Sequence, residues 1–143
     1  MNTQEIKYRG MNNKGEWCYG TYHYSSCRKR HYILNLEKFN RINNMLCLHD
    51  AEVAYVKQET VGQFIGLKDI TGKEIYKDDI IIIGGNIDFP RVIEWRIYGL
   101  RVKQINSENN FPLHFPFVGG NGYKTDFEVI GNIHQNPELI INP

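Results

Sequence analysis

The alternation of apolar and polar positions is clearest between Thr60 and Ile83, TVGQFIGLKDITGKEIYKDDIIII. Val61, Gln63 and Ile65 alternate with Gly62, Phe64 and Gly66, and Ile80 to Ile83 are all β-branched, as pleated strands buried on one or both faces require. The stretch therefore reads as two strands and the turn between them. Asp69-Ile70-Thr71-Gly72 has the residues of a type I turn: the aspartate accepts from its own backbone two residues on, and the glycine takes positive φ at the fourth position. The turn sends the chain back into Lys73, Glu74 and Ile75. Lys77-Asp78-Asp79 then precedes the isoleucine run, and Asp79 reads as a turn anchor that satisfies backbone amides.

The same reading extends over the rest of the chain. Ile6 to Arg9 is a short strand, Asn12 to Gly15 a turn, and Glu16 to Tyr24 the return arm of a hairpin. In that arm Trp17, Tyr19, Thr21 and His23 share one face, and Cys18, Gly20, Tyr22 and Tyr24 the other. His31 to Leu36 and Glu52 to Val56 are further strands, the latter an edge strand, and Leu36 to Ile42 is a marginal helix because of its asparagines. Arg91 to Tyr98 pairs with Leu100 to Ile105 across Gly99. Proline and glycine between Asn106 and Gly122 oppose a continuous element there. Phe127 to Ile133 is a final strand, and Asn136-Pro137-Glu138 starts a terminal helical turn.

Three blocks bear a family likeness. KYRGMNNKGEWCYG near the N-terminus, TVGQFIGLKDITGKEIYKDDI in the middle and FEVIGNIHQNPELI at the end strongly resemble the YopX family of phage and prophage proteins. The resemblance implies a mostly β, antiparallel fold with an SH3-like barrel, and an origin in a phage or integrated element. Residues 1–143 would form one unit, with an N-terminal β element over 1–58 and the barrel part over 59–143. It brings no established activity and no catalytic residues.

Composition narrows the function classes. Seventeen basic residues against sixteen acidic ones in 143 leave no global field to attract nucleic acid, a membrane or an acidic substrate, so such binding needs a local patch. The first ten residues carry no charged-then-apolar leader pattern, and no run approaches the ~18 apolar residues that span a bilayer. A soluble chain in the cytoplasm of a bacterial host, without membrane contact, is the expectation. Cys18, Cys27 and Cys47 leave one thiol over in any intramolecular pairing and do not form a disulfide framework. Cys18, His23, Cys27 and His31, with Cys47 and His49, resemble a zinc set only in residue type. Cys18 and His23 fall on opposite faces of a strand, so no metal and no cofactor is expected.

Two candidate binding segments remain. Arg28, Lys29, Arg30 and His31, extended by Lys38 and Arg41, interleave with Tyr22, Tyr24, Tyr32 and Phe39. Cations that neutralise phosphates beside rings that stack bases suit single-stranded nucleic acid. Phe111, Phe115 and Phe117 lie in a loop of prolines and glycines, which either covers the core or presents an apolar surface to a partner. The carboxylates of Asp69, Glu74, Asp78 and Asp79 offer a third reading as a metal-dependent hydrolase, but they lack the ligand order of a cation loop and suit turns better. The scattered histidines accompany no nucleophile motif. The reading is thus a protein that is not an enzyme and acts as an interaction module for an unidentified host or phage protein. Tentative contacts are Arg28, Lys29, Arg30, Tyr32, Phe115 and Phe117, with self-association through strand edges also compatible. Nucleic acid binding through Arg28 to Arg41 is the alternative.

Overall fold

A computed structural model describes residues 6–35, 52–96, 99–104, 110–112 and 126–141. They form antiparallel strands and one short helix, so the chain is mainly β as its alternation indicates. It divides into two compact units, Met1–Phe64 and Ile65–Pro143.

In the first unit β1 (Tyr8–Met11), β2 (Trp17–Ser25), β3 (Arg30–Asn35) and β4 (Glu52–Val56) lie in the order β4-β3-β2-β1. The other edge of β1 pairs with the start of β5 (Gly62–Lys68), Arg9 opposite Gly62. The β1–β2 turn forms as its asparagines predict, with Asn12 Oδ1 accepting from the Lys14 and Glu16 amides at 2.9 and 3.0 Å. A 3-10 turn at Gln58–Thr60 leads the chain from β4 into β5. There the buried Thr60 hydroxyl accepts from the Met11 amide (2.9 Å) and donates to the Lys57 carbonyl (2.7 Å), while the Lys57 amide donates to the Met11 carbonyl. Among the described residues Met11, Tyr32, Ile33 and Val56 are the buried apolar side chains of this unit.

The second unit holds the rest of β5, then β6 (Glu74–Tyr76), β7 (Asp79–Ile83), β8 (Arg91–Arg96), β9 (Gly99–Gln104), β10 (Asn110–Pro112), β11 (Phe127–Asn132) and α1 (Glu138–Ile141). Ile75, Ile81, Ile93 and Val102 form its core, with Ile65, Leu67, Leu100, Phe127 and Val129 packed around them. Five strands pair in the order β10-β9-β8-β7-β11. Among the described residues that sheet is open, with β10 and β11 at its edges, and the closed SH3-like barrel expected from the resemblance is not found.

The Thr60 to Ile83 stretch departs from its reading in one respect: it makes three strands. Lys77-Asp78 breaks the second one, because Asp78 takes φ +70°, a conformation that a non-glycine residue seldom adopts. The break is held by backbone hydrogen bonds from the Asp78 amide to the Ile93 carbonyl and from the Ile133 amide to the Asp78 carbonyl. Asp79, 1% exposed, is the anchor foreseen, its Oδ2 accepting from the Tyr76 amide at 2.8 Å. The terminal helical turn also forms, although Asn136 supports it through its backbone carbonyl, which accepts from the Leu139 amide. Four readings bear on segments outside the described residues: the helix at Leu36 to Ile42, the extension of the basic segment by Lys38, Phe39 and Arg41, the Phe115 and Phe117 loop, and Cys47 with His49.

Candidate functional site

Strand alternation divides the basic and aromatic segment between two faces. Tyr24 stands opposite His31, and Tyr22 opposite Ile33, on one face; His23 stands opposite Tyr32, and Ser25 opposite Arg30, on the other. On the first face Tyr22 donates to, or accepts from, His31 Nδ1 at 2.7 Å, and Tyr24 lies 4.8 Å from the imidazole, centroid to centroid. Burial, and then the neighbouring Tyr24 and Tyr8, push the Tyr22 phenol above its ordinary pKa, so it remains a neutral hydrogen-bonding group at physiological pH.

On the second face Tyr32 is 7% exposed, and its ring serves the core. The burial follows from its place between His23 and Tyr55 in the middle of the β2-β3-β4 arrangement. Tyr55 carries the exposed ring instead. It sits 4.8 Å from Tyr32, the Arg30 guanidinium lies 5.3 Å over it, and it is 45% exposed. The sequence reading passed over Tyr55, although its register opposite Tyr32 is what places it beside Arg30.

The three cations differ in role. Arg28 is exposed, and its hydrogen bond to the Tyr32 side chain raises its pKa further, so it stays charged. Lys29 occupies the turn at φ +49° and is exposed. Arg30 begins β3. Beside them Cys27 is an exposed thiol whose pKa is lowered first by a hydrogen bond with Ser25, at 3.2 Å.

Lys29, Arg30 and Tyr55 border two adjoining concavities, and Arg28 and Cys27 are not among the residues that line them. One, of about 400 Å³, is lined by Asn13, Lys29, Arg30, His31, Tyr55 and Val56. The other, of about 760 Å³, shares Asn13 and Tyr55 with it and continues past Lys14, Trp17, Tyr19 and Val53. Beside it β2 changes partner, pairing with β1 from Trp17 to Gly20 and with β3 from Thr21 to Ser25. The change falls at Gly20, where φ is +152° and a Cβ would lie 2.1 Å from the Leu34 carbonyl oxygen, so only glycine fits.

The carboxylates of the second unit are engaged otherwise. Asp69 Oδ1 accepts from the Thr71 amide (2.8 Å), the Thr71 hydroxyl (2.6 Å) and the Lys73 amide (2.9 Å), while Oδ2 accepts from the Val129 amide at 3.0 Å. Glu74 accepts from the Tyr76 hydroxyl at 2.6 Å. Asp78 lies 2.5 Å from Lys77 Nζ and 3.3 Å from His134 Nε2. Among the described residues no group of three or more His, Cys, Asp or Glu side chains is arranged to hold a metal ion.

The model of the family described as YopX protein matches residues 7–141. The chain belongs to the YopX family. It is also similar to the crystal structure of protein EF1440 from Enterococcus faecalis, with a TM-score of 0.55, 17% identity, and coverage of 96% of this chain and 99% of that one. At that identity the likeness concerns the fold alone. No curated protein matches this sequence.

The blocks that mark this chain as a YopX protein do structural work where they are densest. GLKDITGKEIY is the Asp69 turn with its flanking strands, and EVIGNIHQNPEL is β11 with the turn that follows it. There Asn132 Oδ1 accepts from the His134 and Gln135 amides, each at 3.0 Å. The groove of this YopX protein lies instead in the first unit, where residues 1–64 hold nine basic side chains against six acidic, while 65–143 hold eight against ten. Among the described residues no helix is long and apolar enough to cross a membrane.

Proposed function

We propose that this YopX protein is a non-catalytic interaction module whose binding face is the concave surface of its first unit. The observation that carries the reading is Tyr55, an aromatic ring positioned by Tyr32 and Arg30, left 45% exposed where two concavities meet. A large ring fixed in place and exposed loses little conformational freedom on binding, which suits it as a contact point. The engagement of Asp69, Glu74, Asp78 and Asp79 by protein donors speaks for a scaffold role of the second unit and against the hydrolase alternative. An SH3-like barrel in that second unit belongs to the same proposal. What supports it is the hydrogen bond from the Ile70 amide to the Phe127 carbonyl, which together with the Asp69–Val129 bond ties the β5–β6 hairpin to β11. The setting proposed is the cytoplasm of a bacterium carrying the phage or prophage.

The test compares tagged wild type with a Tyr55→Ala, Arg30→Glu variant in capture from bacterial extracts, half of each sample treated with nuclease. The expected result is a species retained by wild type and lost by the variant, with the variant's circular dichroism unchanged. Identical recoveries from the two proteins would remove the groove from the account.

A further inference from the structure

We infer that the occupant of the groove is single-stranded nucleic acid, with phosphates at the Lys29 and Arg30 end and a base stacked on Tyr55. This deepens the binding reading and rests on it. Three features of the geometry select this class of ligand. Lys29 and Arg30 line the smaller concavity, so its charge is cationic, and among the described residues that line the two concavities Glu16 is the one carboxylate. The Arg30 guanidinium lies 5.3 Å over the Tyr55 ring, which brings a phosphate-binding fork and a stacking surface to one place. Tyr55 lines both concavities, and Tyr19, 42% exposed, lies on the wall of the larger one, so aromatic surface continues away from the cations. A chain with a phosphate and a flat base at every step meets that arrangement. An acidic polypeptide would use the charge and leave the rings idle.

A duplex fits less well. Its bases are stacked on one another and present no face to a tyrosine, whereas every unpaired base has one. Recognition here should accordingly be tolerant of sequence, since the groove offers charge and ring surface.

The experiment uses the full chain and fluorescence anisotropy with end-labelled oligo-dT and oligo-U of about 12 nucleotides, a length on the scale of one small binding domain. Salt is varied from about 50 to about 200 mM. With Lys14, Lys29 and Arg30 neutralising phosphates, log K should fall with log salt at a slope of about −2, from roughly 0.7 per contact on single strands. Lys29→Asn, a residue that tolerates the positive φ, combined with Arg30→Gln should bring the slope to about −0.7. Tyr55→Leu, which keeps an apolar neighbour for Tyr32, should weaken binding roughly tenfold at every salt concentration and leave the slope unchanged. Duplex of the same length and poly-glutamate serve as competitors. Equal competition by poly-glutamate, with no effect of Tyr55→Leu, would overturn the nucleic acid assignment while preserving the groove as a binding face for an acidic protein. Absence of oligonucleotide binding at the lowest salt, with capture still dependent on Tyr55 and Arg30, would do the same. Oligonucleotide binding that none of these variants alters would overturn both.

Discussion

Asp69→Asn is expected to destabilise the protein by about 3 kcal/mol, because it leaves a buried donor facing another donor. The aspartate uses both oxygens: Oδ1 takes two donors from Thr71 and one from Lys73, and Oδ2 takes the Val129 amide, 60 residues further along the chain. Asparagine keeps one acceptor and turns an NH2 group toward whichever donors the other oxygen served. Loss of a charge-assisted bond, together with an unsatisfied buried amide, is worth roughly 2–3 kcal/mol. The effect reaches beyond the turn, since the Asp69–Val129 bond ties the β5–β6 hairpin to β11. Urea denaturation measures it, and a loss below about 1 kcal/mol would mean that the turn holds without its carboxylate.

Acid stability should carry the same signature. Burial alone would raise the Asp69 pKa, but the hydrogen bonds from the Thr71 hydroxyl and the Val129, Lys73 and Thr71 amides outweigh it and hold the carboxyl below its ordinary value. A carboxyl whose folded pKa is depressed contributes stability that is complete above the unfolded pKa of about 4 and is lost as pH falls through the folded value. The wild type should therefore lose thermal stability below about pH 4 more steeply than Asp69→Asn, which has no group to protonate at this position.

The second large effect is expected at Gly20. Gly20→Ala places a Cβ 2.1 Å from the Leu34 carbonyl oxygen and 2.8 Å from its carbon, at φ +152°. Neither neighbour is a flexible side chain, so the β2–β3 pairing must separate there. A loss of about 3 kcal/mol or more is expected from the combined clash and backbone strain. Because Gly20 is where β2 exchanges β1 for β3, the variant should also disturb the larger concavity. A thermal midpoint equal to that of wild type would show that the two strands do not approach as closely as described.

What was legible in the sequence was mostly local chemistry. The Asp69 turn could be read because an aspartate and a glycine at the right spacing have few other uses, and the Asn12 turn for the same reason. The anchor role of Asp79 follows from a carboxylate next to amides that a turn leaves unpaired. The break at Lys77-Asp78 was not legible, since a positive φ at an aspartate is imposed by its partners Ile93 and Ile133, which are remote in sequence. The groove was partly legible. Arg28 to His31 stood out as a basic run, but alternation only says that Arg30 and His31 face opposite ways. Which tyrosine is buried is decided by the β3–β4 register, and that register exchanged Tyr32 for Tyr55 as the exposed ring. Gly20 carried a usable signal, a glycine inside a strand of aromatics, which commonly marks a close backbone approach.

In the proposed division of the YopX protein, the second unit's shared motifs hold the fold together and the first unit recognises a ligand. Amide chemical-shift mapping of the isotope-labelled chain during titration with oligo-dT tests this division most directly. The resonances expected to move belong to Asn13, Lys29, Arg30, His31, Tyr55 and Val56, with the Asp69 to Asp79 amides unmoved. Shifts centred on Asp69 to Asp79, or no shifts at low salt, would contradict it.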